Sequence, residues 1–109
     1  MPKNVEMAVN EFVRRLLEKD KDTINLIRLY GSIIQGKYKP YESDVDLIVI
    51  GNDGSIDEDI LDLETEISLK YDVMLSVLFN TPQELQQMKD MGYPFSKEIE
   101  RGKVLYECS

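Results

Sequence analysis

The segment Val45-Asp46-Leu47-Ile48-Val49-Ile50-Gly51 is an apolar run of strand length, broken only by an Asp at its entrance. A strand with one wet face alternates polar and apolar residues, so a run without that alternation is buried on both faces and needs a covering layer on each. Helices are available for those layers. From Val5, the residues Val5, Ala8, Val9, Phe12, Val13, Leu16 and Leu17 fall at i, i+3, i+4, i+7, i+8, i+11 and i+12, one face of an amphipathic helix.

Ile24 to Tyr30 has the β-branched and aromatic character of a short strand, stopped by Gly31-Ser32. One short helical turn is expected after Ser32, then a loop containing Gly36 and Pro40. Beyond the apolar run, Asn52-Asp53-Gly54 reads as a turn. Ser55 with Glu58 has the capping-box spacing that opens a helix with Ile56, Ile60, Leu63 and Ile67 inward, ending near Lys70. Val73 to Phe79 reads as a third strand. Thr81-Pro82-Gln83-Glu84 combines an N-cap, a proline at the first helical position and Glu at the third, predicting a helix to about Met91. Gly92-Tyr93-Pro94 breaks it; Ser96 is expected to cap a last short helix, with Glu98 in its first turn, that stops at Gly102, and Val104-Leu105-Tyr106 to add an edge strand. The alternation argues for an α/β sandwich, leaving open whether the sheet is parallel or mixed. The 109 residues carry no repeat or linker and read as a single domain over 1–109.

Composition narrows the chemistry. Twenty-one acidic against thirteen basic residues give a net charge of −8, which repels a phosphate backbone, so direct nucleic-acid binding by this chain alone is not expected. No apolar run approaches the roughly 18 residues of a membrane span, and Met1-Pro2-Lys3-Asn4 leads into an amphipathic segment, so a cytoplasmic protein is expected. There is no His, and Cys108 is the single cysteine. Internal disulfides, Cys-His zinc sites and Ser-His or Cys-His nucleophilic pairs are thereby excluded. Carboxylates remain, with a hard metal ion as their natural companion.

Asp44 and Asp46 are two residues apart at a strand entrance, so both point to one face, about 6 to 7 Å apart along the strand. Like charges at the mouth of an apolar strand suit one or two Mg²⁺ ions, which take oxygen ligands and leave room for substrate phosphates. The plainer alternative is that Asp44 caps a turn and Asp46 is solvated at a strand start. Gly31-Ser32, at a strand-to-helix turn, allows close backbone approach to an anion and adds a hydroxyl donor, although such a pair is also a common turn.

Together, the strand before Gly31-Ser32, the loop with Gly36, and Ser43-Asp44-Val45-Asp46-Leu47 ahead of a second apolar strand resemble the signature of the DNA polymerase β-type nucleotidyltransferases. The short chain resembles their minimal nucleotidyltransferase branch. The resemblance is strong over residues 24 to 51 and elsewhere rests on the order of elements. It implies a nucleotidyltransferase-like fold, a small mixed sheet of three to five strands flanked by helices. It assigns Gly31 and Ser32 to the triphosphate, and Asp44 and Asp46 to two Mg²⁺ ions that activate an acceptor hydroxyl and stabilise the leaving pyrophosphate.

Three departures accompany it. The family's third acid, on a neighbouring strand, would fall on Met74; Asp72 has the same strand parity and is the candidate substitute, or else a turn residue. Gln35 stands where relatives often have Arg or Lys, leaving Lys37 and Lys39 as alternative cations for a triphosphate, or as solvated loop residues. The loop is also one residue longer than the common spacing. Tyr30 is expected in the core, Tyr38 and Tyr41 over the loop surface with the option of stacking on a base, and Met74, Met88 and Met91 in core or helix packing. Asp57-Glu58-Asp59 is read as favourable charge at a helix N-terminus.

The resemblance implies transfer of a nucleoside monophosphate, AMP from ATP, to a hydroxyl on a partner protein or small molecule. The partner it implies is a helical HEPN-type protein, with this chain as antitoxin of a toxin-antitoxin pair, or a second copy in a homodimer. The alternative is a catalytically impaired nucleotide-binding or partner-binding module of the same fold, which Met74 favours and intact Asp44 and Asp46 oppose.

Overall fold

The computed structural model describes residues 1–108. The apolar run forms β2 (Val45–Gly51), an inner strand of a four-stranded sheet with β1 (Ile24–Tyr30), β3 (Leu75–Asn80) and β4 (Lys103–Glu107), in the order β3-β2-β1-β4. β1 is antiparallel to both β2 and β4, while β2 and β3 are parallel, so the sheet is mixed. A parallel pair needs a crossover, and the long helix between β2 and β3 supplies it.

Helices cover both faces. α1 (Lys3–Asp20) and the crossover helix α3 (Asp57–Tyr71) lie on one face, where Phe12, Leu16 and Ile67 meet Leu29, Leu47 and Val49. Phe12 is fully buried there, and truncating such a residue to Ala costs about 3–5 kcal/mol. On the other face α4 (Pro82–Asp90) and α5 (Pro94–Glu100) bring Leu85, Phe95 and Ile99 against Tyr30, Ile48 and Ile50. Alternation along β2 therefore puts Val45, Leu47 and Val49 toward α1 and α3, and Asp46, Ile48 and Ile50 toward α4 and α5. A four-residue helix α2 (Ser32–Gln35) follows β1.

Local signals were obeyed unevenly. At α4 the capping box forms: Thr81 Oγ1 accepts from the Glu84 amide at 3.1 Å, and Glu84 Oε1 from the Thr81 amide at 2.8 Å. The box expected from Ser55 and Glu58 does not. Asp53 Oδ1 takes the Ser55 amide at 2.9 Å, the chain makes a 3₁₀ turn over Gly54–Ile56, and α3 begins at Asp57 without a side-chain cap. A carboxylate two residues earlier is the stronger local acceptor.

Nor does Ser96 cap α5. Pro94, with its φ already helical and no amide to satisfy, starts that helix three residues earlier, and the Ser96 hydroxyl donates back to the Tyr93 carbonyl at 2.8 Å. β3 also begins later than expected, at Leu75, so Val73 and Met74 precede it. Met74 and Met91 are 42% and 65% exposed rather than packed, and Tyr38 lies against the α1/α3 core rather than over the loop surface. Among the described residues no helix is long and apolar enough to cross a membrane.

Candidate functional site

The site starts where β1 ends. Gly31 has φ 82° and ψ −151°, a conformation open essentially to glycine alone. A Cβ at this position would run into Asp46 Oδ2 and lie 3.1 Å from Asp46 Cγ. The backbone after β1 is thus laid directly against the carboxylate, an approach that only a residue without a side chain permits. Register produces this meeting, since Tyr30 pairs with Asp46 across the β1–β2 ladder. Gly31 O accepts from the Ile34 and Gln35 amides, both at 3.1 Å, which fixes the turn into α2 with Ser32 as its first residue.

Asp46 is half-buried on the α4/α5 face, with Asp44 exposed just ahead of the strand. Among the described residues no hydrogen bond or ion pair offsets the Asp46 charge. Burial, then the neighbouring Asp44 and then Glu98 of α5 push its carboxyl up to about 6. The buried Tyr30 phenol is raised as well, by burial first and then by Asp46 and Glu98. Three acidic side chains therefore act on one small region, while among the described residues no three His, Cys, Asp or Glu groups are close enough to hold one cation. The carboxylate pair that remains, Asp44 and Asp46, is a donor set of oxygen anions whose mutual repulsion a hard divalent ion would relieve.

Pockets open on both sides of β2. On the β1 side, a pocket of about 280 Å³ is lined by Gly31, Ile34, Gln35, Lys37, Glu98 and Arg101. On the β3 side, one of about 240 Å³ is lined by Tyr38, Tyr41, Ser43, Asp72, Val73 and Met74. Asp72 does not share a strand face with Met74. It ends α3 in the left-handed conformation, and its Oδ2 accepts a 3.0 Å hydrogen bond from the Tyr41 hydroxyl. Met74 sits beside the strand entrance, its carbonyl accepting from the Val45 amide at 2.8 Å.

This arrangement, a glycine turn against one of two carboxylates at the mouth of a buried strand, agrees with the family whose pattern covers residues 11–109: Polymerase beta, Nucleotidyltransferase. The chain belongs to that family.

A relative from Methanocaldococcus jannaschii, "Putative protein adenylyltransferase MJ0604", is 34% identical over 105 residues, covering 94% of this chain and 99% of its own length. Two solved structures share the fold. One, a "putative minimal nucleotidyltransferase", is 18% identical and covers 97% of this chain and 96% of its own, with a TM-score of 0.60. The other, a crystal structure of a toxin-antitoxin with AMP-PNP, is 20% identical and covers 91% of this chain and 73% of its own, with a TM-score of 0.59. The family and the adenylyltransferase-named relative together support enzymatic activity as a nucleotidyltransferase.

In this nucleotidyltransferase Gly31, Ser32, Asp44 and Asp46 gather at the adjoining ends of β1 and β2, and Lys37 opens onto the Gly31 pocket. Asp72 stands on the other side, with Tyr41. Glu98 and Arg101 were not singled out from the sequence, where Glu98 read only as a first-turn charge. They reach the site because β4 returns alongside β1, which brings the end of α5 over Gly31. The available clue was Gly102: a Cβ there would strike the Leu29 carbonyl and lie 3.2 Å from Tyr30 Cβ.

Proposed function

We propose that this nucleotidyltransferase transfers a nucleoside monophosphate, AMP from ATP, to a hydroxyl of a partner protein, using Mg²⁺ held by Asp44 and Asp46. The observation that carries this reading is the uncompensated Asp46 carboxylate laid against Gly31, with the charge of Asp44 beside it. Bound Mg²⁺ would cancel charge on the phosphate oxygens and on the two carboxylates. Gly31 gives the triphosphate a backbone surface without a side chain, and Ser32 adds a hydroxyl donor. Lys37 and Arg101, on the same pocket, supply positive charge for the departing pyrophosphate. Such a reaction needs positioning and charge cancellation rather than a protein nucleophile, so a chain without His is suited to it.

The name of the M. jannaschii relative supports a protein as acceptor, and the toxin-antitoxin neighbour supports a partner chain, which we take to be a helical HEPN-type toxin for which this chain is the antitoxin. A second reading is favoured by Met74 and by the turning aside of Asp72: an impaired module that binds nucleotide and partner without transfer. Incubation with α-labelled ATP, Mg²⁺ and the protein encoded beside it separates the two. Label on the partner that is lost with Asp44→Asn establishes transfer; a stable complex with bound nucleotide and no label establishes the module.

A further inference from the structure

The pocket on the β3 side has no part in the transfer proposed above, yet its lining reaches the residue just ahead of Asp44. Ser43, immediately before Asp44, lines it, and so does Met74, bonded to Val45. The two pockets share no lining residue and flank β2 from opposite sides, Gly31 following β1 and Met74 preceding β3. In-line transfer puts the attacking and leaving oxygens on opposite sides of the phosphorus. If the pyrophosphate leaves toward Gly31, Lys37 and Arg101, the acceptor hydroxyl enters from the Tyr41 side.

A hydroxyl is already there. Tyr41 is 77% exposed, yet its phenol is fixed by donating to Asp72 Oδ2 at 3.0 Å. Both residues have left-handed backbones, φ 66° for Tyr41 and 55° for Asp72. For tyrosine this is an uncommon conformation that persists only where its surroundings impose it. The loop carrying it is tightly closed: the Lys39 carbonyl accepts from the Glu42 and Ser43 amides at 3.1 and 2.9 Å, and Ser43 Oγ accepts from the Lys39 amide at 3.0 Å. Ser43 at the end of this turn leads straight into Asp44.

We propose that Tyr41, at this pocket, is the chain's own acceptor, becoming nucleotidylated on Oη. The proposal rests on the nucleotidyltransferase reading of Asp44 and Asp46. Tyr41 Oη forms a bond to the α-phosphorus while the bond from that phosphorus to the bridging oxygen breaks. Pyrophosphate leaves with the electron pair, and the phenolic proton passes to the Asp72 carboxylate and then to water. The Asp72 hydrogen bond and charge also raise the Tyr41 phenol above its ordinary value, so at neutral pH it is a protonated donor that needs such a base.

The test uses the whole chain alone, with MgCl₂ and the four ribonucleoside triphosphates, read by intact mass and peptide sequencing, with nucleotide binding measured in parallel by equilibrium dialysis. One nucleoside monophosphate is expected on the peptide containing Tyr41. It should be absent in Tyr41→Phe and in Asp44→Asn, and formed at least tenfold more slowly in Asp72→Asn, with Tyr41→Phe still binding nucleotide as the parent does. Label on another residue, or label that survives Tyr41→Phe, overturns the proposal. So does nucleotide binding without self-labelling; if a partner is labelled under those conditions, the proposed function stands and only Tyr41 as acceptor falls. Absence of any nucleotide binding by the parent chain overturns both together.

Discussion

Two carboxylates in this molecule stand in opposite situations. Glu11, between α1 and α3, receives a hydrogen bond from Lys70 Nζ at 2.8 Å, one from the Tyr71 hydroxyl at 2.6 Å and one from Arg15 Nη1 at 3.2 Å. Its carboxyl is held down at about 2, by Lys70 first, then Tyr71, with Arg15 adding to them against a modest cost of burial. Asp46, at the mouth of β2, receives no hydrogen bond or ion pair from the described residues and is pushed up to about 6. The chain has the cations to neutralise a carboxylate and deploys them where two helices must be fastened. Around Asp46 it places more negative charge instead. That contrast separates a carboxylate that holds the fold from one poised for a ligand, since an unpaired, part-buried charge is retained at a cost in stability.

Gly31→Ala breaks the Asp46 side most severely. The new Cβ collides with the Asp46 carboxylate and imposes a φ that L-residues rarely adopt, so a loss of about 1–3 kcal/mol in denaturant unfolding is expected. Nucleotidyl transfer should fall by at least ~100-fold, because misplacing reacting groups by about an ångström costs that much. Wild-type transfer in this variant would mean that Asp46 and the Gly31 turn do not form a site.

Glu11→Gln tests the other side. The melting temperature at pH 7 should drop by ~5 °C while transfer is unchanged. The sign of the pH dependence follows from the folded carboxyl titrating at about 2, below the ordinary value of 4.5. The stabilisation is complete above the ordinary value and is lost as pH falls through the folded one, so wild type and variant should converge between about pH 4.5 and 2. A gap that widens on acidification would show that Glu11 is not held by its cations.

The smallest effect is expected at Arg14, whose ion pair with Glu18 is solvent-exposed on both sides. Arg14→Ala should move the melting temperature by ~1 °C or less, which calibrates how much of the Glu11 effect comes from partial burial rather than pairing alone.

The sequence exposed the two sides unequally. α1 was legible because its spacing matches one helical face, β2 because seven residues of that composition demand burial, and α4 because Thr81 and Glu84 have no local competitor. Ser55 and Ser96 misled because capping is decided by rivals in the same turn, Asp53 in one case and Pro94 in the other. Gly31 and Asp46 could be named individually from their motif, but their contact depends on the β1–β2 register, and the position of Glu98 on β4 returning beside β1. Long-range pairing leaves almost no local trace. The parity argument for Asp72 failed for a local reason: α3 runs to Tyr71, so Asp72 is a helix end rather than a strand residue.

The most direct measurement is thermal denaturation of the metal-free protein and of Asp46→Asn, at pH 7.5, across a titration with MgCl₂. In the metal-free state, removing the uncompensated charge should raise the melting temperature of Asp46→Asn by ~2–4 °C over wild type. Wild type should then gain stability with Mg²⁺ and saturate, as expected when an ion binds only the folded state, while the variant stays flat. A flat wild-type curve, or the same rise in both proteins, would contradict the assignment of Asp46 as a carboxylate left unpaired for a cation.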